Sequence, residues 1–346
     1  MTNHFFQKIT AAVTALLLCV SGTGCAAASE TETNGASGSA QEFAWDSYAE
    51  RDAQWWSTED ALTIAEEIVS CQLPDGGWRK TMKTEANGLW NGSTIDNDAT
   101  WGQILFLAKC HAATGKESCR EACRKGIDFL LDCQYENGGW PQIPGAEGTY
   151  HAHITFNDNA MTGVMTVMKL VSERSGEDGF AWVDDLTAKR AEKALELALD
   201  CTLRCQILVN GKRTAWCQQY DEVSLLPAGG RAYEPPAIST RESVEIVRFL
   251  QSLPATPQIS ESTEAAEAWF REVRIQGLRF EPVGDDMALV PGSEQDYLWA
   301  RFYDMDRMIP LFSDRSGEIF YDVREISKER RTGYEWYGTW PLKLLL

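Results

Sequence analysis

Histidine and positive charge are both scarce in this chain. Only 4 of its 346 residues are histidine, and 32 lysines and arginines face 51 aspartates and glutamates, a formal net charge of -19 at pH 7. So acidic a protein offers no broad basic face to phosphates, which excludes nucleic acid as a partner. An anionic ligand would instead need a few cations placed locally against the background field. His151 and His153 stand one residue apart, the spacing of half a zinc site. With His111 as the only further histidine of the mature chain and no Cys-x-x-Cys pair, the sequence supplies no second half, so both read as substrate contacts or local hydrogen-bonding groups.

A membrane-spanning run is missing as well. Ala11 to Val20 is apolar and follows Lys8, but it is too short to span and ends in small residues, which is the pattern of a secretory signal. Ser21-Gly22-Thr23-Gly24-Cys25 puts a cysteine where a bacterial lipoprotein is cut and lipidated, although Gly22 stands where leucine is usual. The expectation is a lipoprotein-type signal at 1–25, a flexible Ser-, Thr-, Gly- and Glu-rich linker at 26–45 and one domain at 46–346, exported and held at the cell surface through Cys25 as a monomer. Eight of the 10 cysteines remain in that body. Cys119 and Cys123, like Cys201 and Cys205, are helix neighbours and read as buried thiols rather than disulfides.

Convincing strand alternation is almost absent too. The apolar period is helical: Leu62, Ala65 and Val69 share a face, as do Ile104, Leu107 and Ala108, and then Met161, Val164, Met165 and Met168. Further faces run through Ala191, Ala194, Leu195, Ala198 and Leu199, through Ile246, Phe249, Leu250 and Leu253, and through Ala265, Ala268 and Trp269. At least six helices are predicted. A repeat punctuates them: Cys71-Gln72 precedes Asp75-Gly76-Gly77-Trp78, Cys133-Gln134 precedes Asn137-Gly138-Gly139-Trp140, and Cys205-Gln206 precedes Asn210-Gly211-Lys212 and Trp216. Each copy ends a helix, its glycines supplying positive φ and its tryptophan folding back, so the tryptophans read as structural rather than as sugar platforms. One helix pair per copy predicts a mainly α fold, an (α/α)3 toroid or barrel, with irregular, slightly β elaborations after Leu278.

Three loops carry the candidate chemistry. Ser93 to Thr100 contains Asp96-Asn97-Asp98, and Asn157-Asp158-Asn159 opens the helix at Ala160. Either loop alone would be an N-cap. Two loops of like Asp-Asn chemistry at related points of neighbouring pairs offer the hard oxygen ligands that Ca2+ requires. The third runs from Trp216 through Asp221 to Arg231-Ala232-Tyr233-Glu234-Pro235-Pro236, a rigid, glycine-flanked setting for Arg231. With Arg301 and Arg315 it makes an arginine group suited to bidentate carboxylate recognition.

At these residues the sequence resembles the family 10 polysaccharide lyases, which are pectate lyases. The resemblance runs over nearly the whole body, from Gly76-Gly77-Trp78 and the Thr94 to Thr100 loop through Ile154 to Met161, Trp216 to Asp221 and Arg301-Phe302-Tyr303 to the Arg331 to Trp340 tail. It implies calcium-dependent β-elimination of polygalacturonate. Arg231 would be the base, Asp96 and Asp158 the calcium ligands with Asn157 and Asp221 as further ones, and Arg301 and Arg315 the carboxylate clamps with Lys80 and Glu234 as added substrate contacts. Arg79 stands where the family commonly has proline, Tyr220 where histidine is expected, and Ser316 where aspartate is usual. Two other readings of the residues remain: an inverting glycoside hydrolase pairing Asp96 or Asp158 with Glu234, and a non-catalytic pectin-binding surface protein.

Overall fold

The computed structural model describes residues 42–82 and 88–346; the expected signal segment and the expected linker up to residue 41, Cys25 included, lie outside the described residues. Several helices begin where the sequence supplies a side-chain cap. The Thr58 hydroxyl accepts the Ala61 amide at the head of α1 (Glu59–Ser70), and Gly115, at φ 69, turns the chain from α2 (Trp101–Thr114) into α3 (Glu117–Asp132). After β1 (Ile154–Thr155) come α4 (Ala160–Ser172) and α5 (Asp185–Arg204), the latter capped by the Asp184 carboxylate on the Leu186 and Thr187 amides. The short strands β2 (Leu208–Val209), β3 (Lys212–Arg213), β4 (Gln219–Tyr220), β5 (Pro227–Ala228) and β6 (Ile238–Ser239) lead to α6 (Thr240–Gln251) and α7 (Pro257–Glu272).

The helices pack in two rows. α2 lies against α4 and α4 against α6, while α1, α3, α5 and α7 form the other row, each of the first row packed on its successor in the chain. Burial follows from position: α2 and α4 are covered on nearly every side, whereas α5 buries alanines and Cys201 on one face and shows acids and lysines on the other.

The repeated turns are the rungs between the outer helices. Gln72 Nε2 donates to Gly76 O and across to Ala122 O on α3, both at 2.8 Å. Gln134 Nε2 likewise joins Gly138 O (3.0 Å) to Ala194 O on α5 (2.9 Å), and Gln206 Nε2 joins Thr214 O to Ser262 O on α7, both at 2.9 Å. In each copy the tryptophan indole donates back to the helix just ended: Trp78 to Ile68 O, Trp140 to Leu130 O and Trp216 to Thr202 O. All three are fully buried, so they are structural, as read from the sequence, and no sugar can stack on them. Gly138 is obligatory at φ 94, because a Cβ there would stand 2.1 Å from Leu197 O.

The expected closed (α/α)3 toroid is a misreading. Among the described residues the helix pairs form an open series, with no substantial packing that returns α6 or α7 to α2 or α3. The next tryptophan in the series, Trp299, donates to Phe270 O at the end of α7 but sits on a strand rather than before another helix. β structure is also more extensive than expected. To the strands above are added β7 (Ile275–Gln276), β8 (Leu278–Val283), β9 (Asp286–Pro291), β10 (Tyr297–Ala300), β11 (Phe302–Tyr303), β12 (Pro310–Ser313), β13 (Ile319–Phe320) and β14 (Tyr337–Gly338), with α8 (Lys328–Thr332) and α9 (Leu342–Leu345) near the C-terminus. They form five small antiparallel sheets, among them β1-β4-β5 and β13-β12-β11-β6. A second core of Ala237, Phe302, Leu311, Phe312, Val323, Ile326 and Trp336 holds the C-terminal part.

Candidate active site

The site grows out of the repeat. Trp78, Trp140 and Trp216 each use their backbone carbonyl to accept an amide from the segment leading into an inner helix: Thr94 before α2, Thr155 before α4 and Ser239 before α6. Two residues beyond those donors come Asp96, Asn157 and Arg241. Two residues beyond the tryptophans come Lys80, Gln142 and Gln218, and these reach the same loops. Lys80 Nζ donates to Asp96 Oδ2 at 2.8 Å, Gln142 Nε2 to Asp96 Oδ1 at 2.9 Å, and Gln218 Nε2 to Asn157 Oδ1 at 2.5 Å.

Asp96 is buried, and Asp158 stands beside it at the head of α4 with its backbone at φ 48. Asn157 Nδ2 donates to one Asp158 oxygen at 2.6 Å, and Arg241 lies 3.4 Å from the other. Burial and then the Asp96 charge raise the Asp158 pKa, with Arg301 and Arg241 opposing. Asp98, part of the same Asp-Asn loop but given no role of its own from the sequence, is pushed up to about 6 by burial, against the Trp45 amide that donates to it, and further by Asp46, Asp158 and Asp96. Lys80 is raised despite burial because Asp96, Glu42 and Asp158 surround it. In the same loop Asn97 Oδ1 is buried without a hydrogen-bond partner among the described residues. Mutually repelling carboxylates beside an unsatisfied amide oxygen form a donor set for a hard cation.

Arg301 is fully buried next to this group. One amino group donates to Glu242 Oε1 at 2.6 Å and to Asn157 Oδ1 at 3.3 Å, and its guanidinium lies 4.7 Å from the Tyr334 ring centre. Burial lowers its pKa, but Glu242 and then Tyr334 and Asp158 more than offset that, so it stays charged. Tyr334 links Arg301 to the third loop, donating its hydroxyl to Glu234 Oε1 at 2.9 Å. Glu234 is buried and takes Arg231 by Nε at 3.0 Å, by an amino group at 2.6 Å and by the backbone amide at 3.0 Å. Burial works against the Arg231 charge; the Glu234 hydrogen bonds and charge outweigh it, and the net pKa is raised. Arg315 is exposed and forked onto Glu329, at 3.1 and 2.9 Å. The Tyr233 ring gathers Arg231 (4.9 Å), Arg315 (5.7 Å) and buried Arg330 (4.4 Å).

Lys80, Asp96, Asn157, Asp158 and Arg301 therefore share one group, and Arg231, Glu234 and Arg315 continue it through Tyr334 and Tyr233. Asp221 joins another group, with His153 and Glu222. Sequence reasoning did not find Gln142, Gln218, Arg241 or Glu242. The first two were findable at the second position after each repeated tryptophan; Glu242 is disguised as an ordinary first-turn acid of α6.

A family model for pectic acid lyase matches residues 66–345. The chain belongs to the pectic acid lyase family. This lyase is also similar to the family 10 polysaccharide lyase from Cellvibrio cellulosa, at 33% identity over 84% of this chain and 91% of that one, with a TM-score of 0.77. A mutant of that enzyme in complex with trigalacturonic acid matches at 32% identity, over 85% and 92% of the two chains, again with a TM-score of 0.77. The protein is thus a polysaccharide lyase enzyme.

Proposed function

We propose that this lyase cleaves α-1,4-polygalacturonate by calcium-dependent β-elimination to 4,5-unsaturated oligogalacturonides, with Arg231 as the base. The observation that carries the reading is the meeting of anionic and cationic halves: Asp96 and Asp158 with Asn157 on one side, Arg301 and the Arg231 and Arg315 group on the other. Calcium held by Asp96 and Asp158, with the Asn97 and Asn157 oxygens at hand, would supply a positive charge for the substrate carboxylate.

The galacturonate C5 proton is α to a carboxylate, so its removal builds charge on that group. Arg301 is already buried and charged, and it needs no reorganisation to meet the developing anion. Lys80 stays protonated beside Asp96 and contributes in the same sense. Arg315 is exposed and exchangeable, so it can trade Glu329 for a second substrate carboxylate.

Arg231 presents the hard step. An unperturbed arginine gives up its proton at pH 7 at a cost of roughly 7 to 8 kcal/mol, and pairing with Glu234 adds to it. For Arg231 to accept the C5 proton, that fork must open. The Arg231 side chain is 40% exposed while Glu234 is 6% exposed, so the arginine is the partner free to move. An alkaline optimum follows.

Glu234 argues against the inverting-hydrolase alternative, since its carboxylate is committed to Arg231 and Tyr334 and its pKa is lowered, the opposite of what a general acid needs. The deciding experiment is the ultraviolet absorbance of the conjugated product on polygalacturonate, with and without chelator. Absorbance that rises and is abolished by chelator is expected; reducing ends released without absorbance would mean hydrolysis, and turnover indifferent to chelator would remove calcium. We further infer a monomer held at the cell surface through lipidated Cys25, which Cys25→Ser should release into the medium.

A further inference from the structure

The sheet β1-β4-β5 places three metal-ligating side chains together outside the arginine and aspartate group. β1 and β4 run antiparallel with Ile154 opposite Tyr220 and Thr155 opposite Gln219. One step further along that register His153 faces Asp221, and Glu222 follows. The ligand atoms of these three residues lie within 4.8 Å of one another, and all three are half-buried. We propose that His153, Asp221 and Glu222 form a second cation site, selective for a first-row divalent metal of the zinc class.

The backbone that bears the ligands is fixed. Asp221 Oδ1 accepts from the Val223 and Ser224 amides and from the Ser224 hydroxyl, at 3.2, 2.7 and 2.7 Å, which leaves Oδ2 with no hydrogen bond among the described residues. Glu222 O is held by Asn137 Nδ2 at 2.7 Å, tying the site to a repeated glycine turn. His153 Nδ1 stands 2.9 Å from Glu222 Oε2, and no lysine or arginine pairs with either carboxylate among the described residues. Two carboxylates therefore meet one imidazole with no permanent cation between them.

Ligand chemistry selects the metal. Calcium takes six to eight oxygens and has no use for an imidazole, whereas zinc accepts one nitrogen and two oxygens and completes a tetrahedron with water. Zinc bonds of about 2.0–2.2 Å would draw the ligand atoms to about 3.4 Å apart, a closure within reach of side-chain rotation at 22% and 26% exposure. The bound ion would clamp the start of β1 to the β4–β5 hairpin, and β1 leads straight into Asn157 and Asp158.

The site is independent of the catalytic reading and is tested by binding. Calorimetric titration of zinc into the calcium-saturated protein should show one equivalent bound, weakened at least tenfold in His153→Gln and in Glu222→Gln, with zinc raising the melting temperature of the parent but not of either variant. Cobalt in place of zinc should give weak visible bands without an intense sulfur-to-metal charge-transfer band. Absence of zinc binding, binding unchanged in both variants, or a sulfur charge-transfer band from the cysteines would each overturn the proposal.

Discussion

At the scale of single residues, with Arg231 as the proposed base, the Arg231–Glu234 fork would set the pH at which the lyase works. Glu234 holds the guanidinium charged, so removing its charge should ease loss of the Arg231 proton. Glu234→Gln is expected to move the rising limb of the kcat/KM profile to lower pH, whereas an unmoved limb would mean that Arg231 is not the titrating base. Arg231→Ala should reduce kcat by about 10²–10⁴ with substrate binding retained. Arg241 plays the opposite part. It lies 3.4 Å from Asp158 and 3.6 Å from Glu335, a cation where the proposed calcium would bind. Even at the dielectric of bulk water, such a charge opposes another about 4 Å away by roughly 1 kcal/mol. Arg241→Gln should therefore tighten calcium binding several-fold without substrate, read by calorimetry, and weaker binding would show Arg241 to be an organiser of the site. Position in the sequence made Asp96 and Asp158 legible, since both stand in Asp-Asn loops before helices. It could not show Arg241 or Glu242, because an acid or base in a helix's first turn looks the same whether it caps, pairs with solvent or faces a site.

At the scale of elements, periodicity and turn chemistry were legible because both are local. The faces read from Ile104 and Met161 are buried, and Gln72, Gln134 and Gln206 each join a turn to the next outer helix. Their shared geometry argues that stability resides in the rungs as much as in the helices. Gln134→Ala strands Gly138 O and Ala194 O, and it should cost about 1–3 kcal/mol, seen as a lower melting temperature. An exposed glutamine such as Gln54 replaced by alanine is the control, and equal losses would dismiss the rung. Gly138→Ala should be far worse, with a Cβ driven 2.1 Å from Leu197 O at a backbone angle that favours glycine. Closure of the ring was not legible. Whether a fourth tryptophan leads into a helix or a strand depends on long-range pairing, and Trp299 itself lies on a strand, where it pairs with Gly338 far along the chain. Strands of two residues carry no alternation to read.

At the scale of the whole molecule, the proposed alkaline chemistry and thermodynamic stability pull in opposite directions. The eight cysteines of the described residues are free thiols, and burial raises Cys110 and Cys133 to about 12, with Cys123 and Cys217 raised as well. In the unfolded chain these groups ionise near their ordinary value of 9.0. Folded pKa values above the unfolded ones mean that nothing is lost below pH 9, where both states hold their protons. Between 9 and 12 the unfolded chain releases protons that the fold retains, so stability falls continuously as pH rises. The net charge of -19 grows more negative over the same range and adds self-repulsion. Activity limited by an arginine base should climb through this window while the melting temperature drops. Initial rates at short times should therefore keep rising past the pH at which incubated enzyme loses activity. Cys110→Ala, which removes one such thiol at the junction of α2 with α1, should flatten the decline in melting temperature above pH 9 relative to its own value at pH 7. An equal decline in parent and variant would show that ionisation of Cys110 does not contribute to the alkaline instability.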